Sequence, residues 1–468
     1  MTFGSVVRQA ARRIASTIAS APPWLVLLVS WLVLMLYAYP GLMTQDSFDH
    51  LAEARTGKYT DWHPPAVSLL WKFLDYVVAG PLGMLVLQSA TFLVGLYYVL
   101  RRTLQPKAAA WAAGLLFVFP PVMLPFAVIW KDNVMAGFLM LGLAAMPAER
   151  RWVRIAGLVA LGAATAVRYN AFGATLPIIV LLFEWRPGLH WLKRYAIAGA
   201  AWFAVTFAAF SLNDAITDYK MHPWQSSLAL YDIVGTLAHV DEDLPDAELR
   251  RVFEGTQLLT KENIHAQIRK LYTPRDFLPI INHATEAMWA VPIWGIEPTP
   301  APQRDAIGRA FLDVVTAHPG AYAAHRLDVM AEVLCLTAER PAAVIIKREY
   351  RRTDLADAVG ATRTWSKLQR KMTTFMTWLY KATPIFVPWI YLVISLLLLP
   401  MARRNRAVLA TLASGLVFES SLLFLAASPD YRYSHWMVVC ALMAVIELTA
   451  SRMRPNRGTV STSPPLSA

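Results

Sequence analysis

The chain has 468 residues, of which 56% are hydrophobic and only 16% are charged. This balance excludes an ordinary soluble globular protein and is typical of a protein that crosses a membrane several times. In a soluble protein the net charge of +12 would favour nucleic acid as a partner, but here the basic residues cluster in short runs between hydrophobic segments. We therefore interpret these runs as topology signals and expect the lipid bilayer, not nucleic acid, as the partner.

Ten apolar runs approach the length needed to cross roughly 30 Å of hydrocarbon. They cover residues 23–40, 82–100, 108–128, 133–147, 153–168, 171–184, 195–211, 384–401, 407–426 and 434–450. With the N-terminus inside, ten spans place every basic cluster in the cytoplasm. The stretch 66–80 is also apolar, but Lys72 and Asp75 interrupt it, so we interpret it as a juxtamembrane or re-entrant helix on the outer surface.

The predicted fold class is an all-α polytopic membrane protein, with about ten transmembrane helices, outer juxtamembrane helices and a mostly helical extracytoplasmic domain. Five regions follow: a cytoplasmic N-terminus (1–22), a transmembrane core with catalytic outer loops (23–211), the extracytoplasmic domain (212–380), C-terminal transmembrane helices (381–450) and a disordered cytoplasmic tail (451–468). Cys335 and Cys440 fall in the outer domain and in a predicted span, so a disulfide between them is not expected.

Polar residues with chemical potential concentrate at the predicted outer ends of the spans. The first outer loop carries Asp46, and later the run Asp61-Trp62-His63 before two prolines. Further outer ends contribute the following residues: Lys131 and Asp132, then Arg168, then Arg432 and Tyr433. A helical bundle could bring these ends together, and it would then place carboxylates and guanidiniums beside the bilayer.

This combination suits the transfer of a sugar from a lipid phosphate. A carboxylate can deprotonate an acceptor hydroxyl as a general base. Arginines can hold a phosphate through charge-assisted bidentate bonds and stabilise it as a leaving group. Aromatic side chains such as Trp62 and Tyr433 can stack on sugar faces or lie in the interface belt.

Each of these residues also has an ordinary interpretation. A lone aspartate at the end of a span is more often solvated or structural than catalytic. Arg432 could anchor a lipid headgroup, and His63 could simply cap a turn before Pro64 and Pro65. Glu419 lies inside a predicted span, where a charge is costly and suggests function, although it could equally be protonated or paired with a neighbouring helix.

Taken together, these motifs resemble the GT-C superfamily of polytopic glycosyltransferases, which use polyprenyl-phosphate sugars. Asp46 followed by His63-Pro64-Pro65 is similar to the first-loop pattern of the protein mannosyltransferase and aminoarabinose transferase branches. Asp132 matches the second-loop acid in position. The stretch 429–433 resembles a late arginine-tyrosine motif of bacterial members.

The resemblance implies a role for each residue. Asp46 would be the catalytic base, and Asp132 would contribute to the catalytic site. The donor phosphate would be bound by Arg432, Arg168 and Lys131, and the substrates by His63, Asp61, Trp62 and Tyr433. Whether Asp46 and Asp132 hold a divalent metal such as Mg²⁺ or Mn²⁺ stays open, because the first loop lacks a clear Asp-x-Asp pair.

The sequence therefore predicts a glycosyltransferase of the bacterial cytoplasmic membrane with its active site on the periplasmic or extracellular face. Its partners would be a polyprenyl-phosphate sugar and an extracytoplasmic acceptor that is a glycan, a lipid or a protein. The main alternative is a lipid-linked sugar flippase or transporter, which would more naturally line a central cavity with cations. An O-acyltransferase usually needs an intramembrane histidine, and a phosphoethanolamine transferase needs a soluble domain with a metal-activated hydroxyl nucleophile. Neither pattern is evident in the sequence, so both enzymes fit less well.

Overall fold

The structure is a computed structural model that describes residues 21–453, except residues 187, 282–286, 291–297, 338, 349–352, 360 and 362–363. Most of the predicted N-terminal region and nearly all of the predicted C-terminal tail lie outside the described residues. Within the described part, the predicted all-α class is confirmed, because extended pairing there is limited to isolated β-bridges.

The helices of the membrane part come first and last in the chain. The N-terminal set is α1 (Pro23–Ala38), α2 (Gln45–Thr56), α3 (Pro65–Val77), α4 (Leu82–Leu100), α5 (Pro106–Val118), α6 (Pro120–Phe126), α7 (Lys131–Ala145), α8 (Arg151–Val167), α9 (Ala171–Leu182) and α10 (Trp191–Ile216).

A π-helix (Trp224–Leu228) then leads into a set of shorter helices. These are α11 (Ala229–Ala238), α12 (Asp246–Val252), α13 (Ile264–Leu271), α14 (Leu278–Ile281), α15 (Ala301–Ala317), α16 (Pro319–Leu334), α17 (Thr353–Ala358) and α18 (Lys367–Ala382). The C-terminal set is α19 (Pro388–Ala402), α20 (Arg406–Leu425) and α21 (Tyr431–Met453).

Each predicted span coincides with a helix or, for 108–128, with the pair α5 and α6. In the described part of the chain, four helices (α4, α10, α20 and α21) are long and apolar enough to cross a membrane, and a fifth span is possible if the pair counts as one. The pair is bent by 68° where Pro120 begins α6. Only 11% of the most apolar part of helix α10 is buried inside the protein, so its exposed apolar side chains require contact with lipid. The chain is therefore a multi-pass membrane protein.

Small residues allow the membrane helices to pack closely. Helix α4 lies against α7, which also packs on α8, and α9 lies against α20. A Cβ added to Gly95 of α4 would lie 2.8 Å from Cγ of Met140 and 2.9 Å from its carbonyl carbon. Larger side chains would separate these helices, and close backbone approach is a major source of helix association in lipid.

The segment after the first span forms a helix where the sequence suggested a loop. The hydroxyl groups of Thr44 and Ser47 make a reciprocal capping box at the start of α2, and Gly57 ends the helix with a positive φ of 68°. Helix α3 follows, with Pro65 in its first turn, where the missing N–H has no cost. The two helices pack on each other, so Asp46 lies on a helix and not on a flexible loop.

The shorter helices surround α11, which packs against α15 and α16 and is almost fully buried. Their apolar core includes Leu422 and Ala426 at the end of α20, so this core continues into the membrane part. Helix α18 instead packs on α1, where the Gln369 side chain donates to the carbonyl oxygens of Tyr37 and Tyr39 at 3.1 Å each.

Two isolated bridges hold distant segments together near the ends of the spans. Leu42 pairs in parallel with Val128, through backbone bonds of 3.0 Å to Ala127 and 2.9 Å from Ile129. Ala342 likewise forms a parallel bridge with Asp430. The first bridge aligns the start of α2 with the start of α7, and the second attaches the region before α18 to the start of α21.

Candidate active site

Asp46 and Asp132 occupy equivalent positions, each as the second residue of a helix. Asp46 lies in the first turn of α2 and Asp132 in the first turn of α7. The partial positive charge of a helix N-terminus favours a carboxylate at both places. The two helix starts are joined directly, because Trp130 donates from Nε1 to the hydroxyl oxygen of Thr44 at 2.8 Å.

Asp46 is half-buried and lies among cations. Arg432 donates from Nη1 to its Oδ2 at 2.7 Å, and Nε2 of His63 lies 3.8 Å from its Oδ1. Lys131 Nζ lies 2.6 Å from Nδ1 of His63. Burial alone would raise the pKa of Asp46, but the positive charge of Arg432, together with that of Lys131, holds it well below its usual range. Asp46 is therefore ionised at neutral pH.

Lys131 and His63 form a relay toward Asp46. Burial, the largest cause, lowers the pKa of Lys131 to about 7, and it lowers the pKa of His63 well below its usual value. A neutral His63 has one donor and one acceptor nitrogen. If Lys131 donates to Nδ1, the proton of His63 lies on Nε2 and faces Asp46.

Arg432 contacts both acidic and aromatic side chains. Its Nε lies 3.2 Å from Oδ2 of Asp430, and its guanidinium stands 4.8 Å from the centre of the Trp130 ring. The Tyr433 ring lies 5.3 Å from the same guanidinium. Guanidiniums are attracted to aromatic faces, most strongly to tryptophan. These contacts fix the plane of the Arg432 guanidinium.

Asp132 and Arg168 form a second, deeper pair. Arg168 Nη1 makes a very short contact with Oδ1 of Asp132, and its Nε donates to the side-chain oxygen of Asn170 at 2.9 Å. Both members of the pair are buried. The Arg168 guanidinium also lies 5.4 Å from the Tyr433 ring, so Tyr433 contacts both arginines and connects the two ion pairs.

Seven of the nine predicted site residues are thus joined in one network of contacts. They are Asp46, His63, Lys131, Asp132, Arg168, Arg432 and Tyr433. Asp61 lies beside it but binds the loop before the π-helix, where its Oδ1 accepts from the backbone N–H groups of Met221 and His222. Trp62 is half-buried between Asp61 and His63.

Sequence reasoning missed a polar chain behind His63. The His50 ring lies 5.0 Å from the His63 ring, and its Nδ1 is 3.1 Å from the Ser68 hydroxyl. That hydroxyl donates to Oε2 of Glu53 at 2.6 Å. The spacing of Asp46, His50 and Glu53 at i, i+4 and i+7 is a signal for one face of a helix. The prediction of a loop for this segment does not use that spacing.

Glu419 does not join this network directly. It is buried in α20, and its Oε1 accepts from the Ser434 hydroxyl at 2.8 Å. The hydrogen bond links α20 to the first turn of α21 and so supports the helix that carries Arg432. Glu419 is therefore paired with a neighbouring helix, which is one of the two ordinary interpretations of its sequence position.

The donor set does not fit a divalent cation. Within the part of the chain that the structure describes, no group of three or more His, Cys, Asp or Glu side chains has the geometry of a metal site. Asp46 faces Arg432 and Lys131, and Asp132 faces Arg168. These cations already balance the carboxylates and would repel a metal ion. Cys335 and Cys440 are both free and buried.

No protein-family model matches the chain, and no curated protein matches it. A comparison with solved structures found similarity to the crystal structure of ArnT from Cupriavidus metallidurans bound to undecaprenyl phosphate. The alignment covers 90% of this chain and 77% of that chain, at 15% identity and a TM-score of 0.33. A match of this level says nothing about which residues act.

Proposed function

We propose that the chain is a membrane glycosyltransferase that moves a sugar from a polyprenyl-phosphate donor to an extracytoplasmic acceptor. The observation that supports this most directly is the pairing of Asp46 with Arg432, beside Lys131 and His63. At this place a carboxylate that can accept a proton contacts cations that can bind a phosphate. Sugar transfer from a lipid phosphate requires both groups at one reacting centre.

In the proposed reaction, an acceptor hydroxyl attacks the anomeric carbon of the sugar. The bond between that carbon and the phosphate oxygen breaks, and the polyprenyl phosphate leaves with the bonding electrons. The hydroxyl proton passes to Asp46. Arg432, Arg168 and Lys131 stabilise the negative charge that grows on the leaving phosphate. Asp132 contributes by holding Arg168 in place.

Donor binding would also activate the base. In the structure Arg432 is paired with Asp46, and this pairing lowers the basicity of the carboxylate. A donor phosphate that attracts Arg432 would weaken the pair and raise the pKa of Asp46. Asp46 would then become a competent base only when a leaving group is present. Such an exchange would limit wasteful hydrolysis of the donor.

The remaining predicted residues fit substrate contacts. Trp62 and Tyr433 offer aromatic faces to a sugar or to a guanidinium, and His63 presents Nε2 toward Asp46. Asp61 would act indirectly, because its carboxylate fixes the loop at Met221 and His222. We propose that the acceptor is a glycan, a lipid or a protein, and that the active site lies on the outer face of the bacterial cytoplasmic membrane.

We further propose that transfer does not need a divalent metal, because arginine and lysine supply the positive charge. The test is transfer in excess EDTA compared with transfer in added Mg²⁺ or Mn²⁺. Equal rates support charge stabilisation by side chains. A loss of activity in EDTA that Mn²⁺ or Mg²⁺ restores would contradict it.

The function is tested with the purified chain in liposomes that contain radiolabelled polyprenyl-phosphate sugars and envelope extract as the acceptor source. We expect label to enter a lipid, glycan or protein fraction. Asp46→Asn should lower the transfer rate at least a hundredfold, because a general base typically contributes about 10²–10⁴-fold. Asp49→Asn, the same change on the same helix, is the matched control and should keep most of the activity.

Two results would overturn the proposal. Full transfer by Asp46→Asn would remove the base from its assigned role. Movement of labelled donor across the bilayer without transfer to any acceptor would instead indicate a flippase or transporter. The correctly inserted fraction of each variant is measured by protease protection, so that loss of activity is not confused with loss of folding.

A further inference from the structure

A basic cavity lies at the end of the helical bundle opposite the Asp132–Arg168 pair. Its volume is about 530 Å³. The charged side chains that line it are Arg154, Arg194, Arg404, Arg406, Glu149 and Glu184. Arg154 is near the start of α8 and Arg168 follows its end, so most of the length of that helix, roughly 20 Å, separates the cavity from the proposed reaction site.

Two of the arginines form a fixed wall. Arg154 is buried and donates from Nη1 to the carbonyl oxygens of Ala148 at 2.7 Å and Glu149 at 2.9 Å. Arg194 is also buried, and its Nε lies 2.9 Å from Oε1 of Glu184. These contacts hold the positive charges at the cavity without side-chain disorder, so a bound anion would meet a preorganised surface.

The other two arginines keep donors for a ligand. Arg404 is exposed, and no hydrogen bond or ion pair joins it to the part of the chain that the structure describes. Arg406 is exposed and makes a longer ion pair of 3.5 Å with Glu184. Guanidinium groups with unused N–H donors are well suited to bidentate recognition of a phosphate.

The start of α20 adds further positive character. Asn405 caps this helix by accepting from the backbone N–H groups of Ala407 and Val408. Asn405 and Ala407 both line the cavity, so the N-terminal end of a 20-residue helix opens onto it. A helix N-terminus carries a partial positive charge and favours an anion.

Exposed tryptophans place the cavity at the depth of lipid headgroups. Trp152 is at the start of α8, Trp185 follows α9 and Trp191 begins α10, and their exposed fractions are 64%, 42% and 60%. Tryptophan concentrates at the boundary between hydrocarbon and headgroups in membrane proteins. The three side chains lie at the same end of the helices as the four arginines, so the cavity lies at the same boundary.

We propose that this cavity binds the phosphate group of an anionic phospholipid from the leaflet at that end of the spans. The lipid phosphate would accept from Arg404 and Arg406 against the wall of Arg154 and Arg194. The acyl chains would lie along the exposed apolar surface of α10. This proposal does not rest on the proposed transfer reaction, because α8 separates the cavity from Arg168.

The test uses native mass spectrometry of the full chain, titrated with phosphatidylglycerol and with phosphatidylcholine of the same acyl chains. The double variant Arg404→Gln, Arg406→Gln should bind phosphatidylglycerol roughly tenfold more weakly, since each surface cation contributes substantially to anionic lipid binding. The control Arg403→Gln, Lys107→Gln removes the same charge from exposed residues that do not line the cavity. If the lipid binds in the cavity, this control should weaken binding clearly less than the cavity variant does.

Three outcomes of this titration would overturn the proposal, and a separate anion titration adds a fourth. These are equal weakening in both double variants, unchanged binding in the cavity variant, and equal affinity for phosphatidylcholine. Glycerol phosphate and inorganic phosphate are titrated separately, and binding as tight as that of the lipid would indicate a free anion instead. Asp46→Asn should keep wild-type lipid binding, so failure here is distinguishable from failure of the transferase proposal.

Discussion

Arg432 donates from Nη1 to Oδ2 of Asp46 at 2.7 Å across 386 residues of sequence. The bond joins the first turn of α2 to the first turn of α21, and so connects the beginning and the end of the membrane part. Arg432 stays charged and stabilises the ionised form of Asp46. The pH dependence of transfer can therefore report on the pair.

The first prediction concerns the acid side of the pH profile in Arg432→Gln. The positive charge of Arg432 helps to hold the pKa of Asp46 low, so wild-type Asp46 stays ionised in mild acid. Removing the charge raises that pKa, and a base is lost as the pH falls through its pKa. We expect kcat/KM for the donor to fall steeply below about pH 6 in the variant but not in the wild type.

The matched control is Arg55→Gln, which removes a similar charge from the same helix. Arg55 pairs with Asp75 at 3.0 Å and does not contact Asp46. In Arg55→Gln, the dependence of kcat/KM on pH at acid pH should match that of the wild type. A parallel profile for Arg432→Gln, merely lower at every pH, would mean that Arg432 does not set the ionisation of Asp46.

The second prediction concerns Lys131 and the alkaline side. Burial lowers the pKa of Lys131 to about 7, so its positive charge is present below that pH and is lost as the pH rises through it. If this charge holds the donor phosphate, the KM for the donor should rise roughly tenfold between about pH 6 and 8.5. Lys131→Arg keeps its charge and should flatten the rise.

Lys58→Arg is the control for this change, because Lys58 is exposed and lies just beyond the end of α2. It should reproduce the wild-type dependence of KM on pH. An unchanged rise of KM in Lys131→Arg would assign the titration to another group. A pH-independent wild-type KM would remove Lys131 from donor binding.

The polar ends of the spans could be predicted because hydrocarbon favours apolar residues, whereas the membrane interface tolerates polar and charged ones. Asp46, Asp132 and Arg432 were recognisable from their positions next to apolar runs. Their partners were not. The sequence allowed either aspartate to pair with either arginine, and only packing of the helices assigns Arg168 to Asp132 and Arg432 to Asp46.

Helix α2 was missed for a physical reason. Its residues are mostly polar, so hydropathy indicates a loop, although its start and end signals at Thr44 and Gly57 are visible in the sequence. The consequence was that His50 and Glu53 were overlooked, since they approach His63 and Ser68 only when α2 packs on α3. Tertiary packing, not local propensity, creates this part of the site.

The third prediction separates the ring of Tyr433 from its hydroxyl. The ring lies 5.4 Å from the Arg168 guanidinium and 5.3 Å from that of Arg432. Tyr433→Leu removes both contacts and should weaken donor binding by about 1–2 kcal/mol, or roughly 5- to 30-fold. Tyr433→Phe keeps the ring and should stay near wild type. The measurement is the dissociation constant of a non-transferable donor analogue.

Equal losses in Tyr433→Phe and Tyr433→Leu would mean that the hydroxyl, and not the aromatic face, carries the effect. Near-wild-type binding in both would mean that the arginines keep their positions without the ring. The first result would move the link between the two ion pairs from the ring of Tyr433 to its hydroxyl. The second would remove Tyr433 from that link, although its ring lies near both arginines.

The last prediction concerns the attachment of the shorter helices to the membrane part. Asp232 is buried in α11 and accepts from Nη1 of Arg326 at 3.0 Å, while Nε of Arg326 donates to the carbonyl oxygen of Leu423 at 2.7 Å. Asp232→Asn leaves the Arg326 charge buried without its counter-ion. Breaking one side of a buried pair typically costs about 3–5 kcal/mol, so we expect Tm in detergent to fall by several degrees.

The control for Asp232→Asn is Asp328→Asn on the same helix as Arg326. The Asp328 carboxylate is 58% exposed and pairs with His239 at 2.9 Å, so its loss should cost at most about 1 kcal/mol. Limited proteolysis adds a second measurement, because loosened helices should be cleaved between residues 212 and 340 before the spans are. Equal Tm shifts in both variants, or intact helices in Asp232→Asn, would mean that the attachment depends on apolar packing of Leu422 and Ala426 instead.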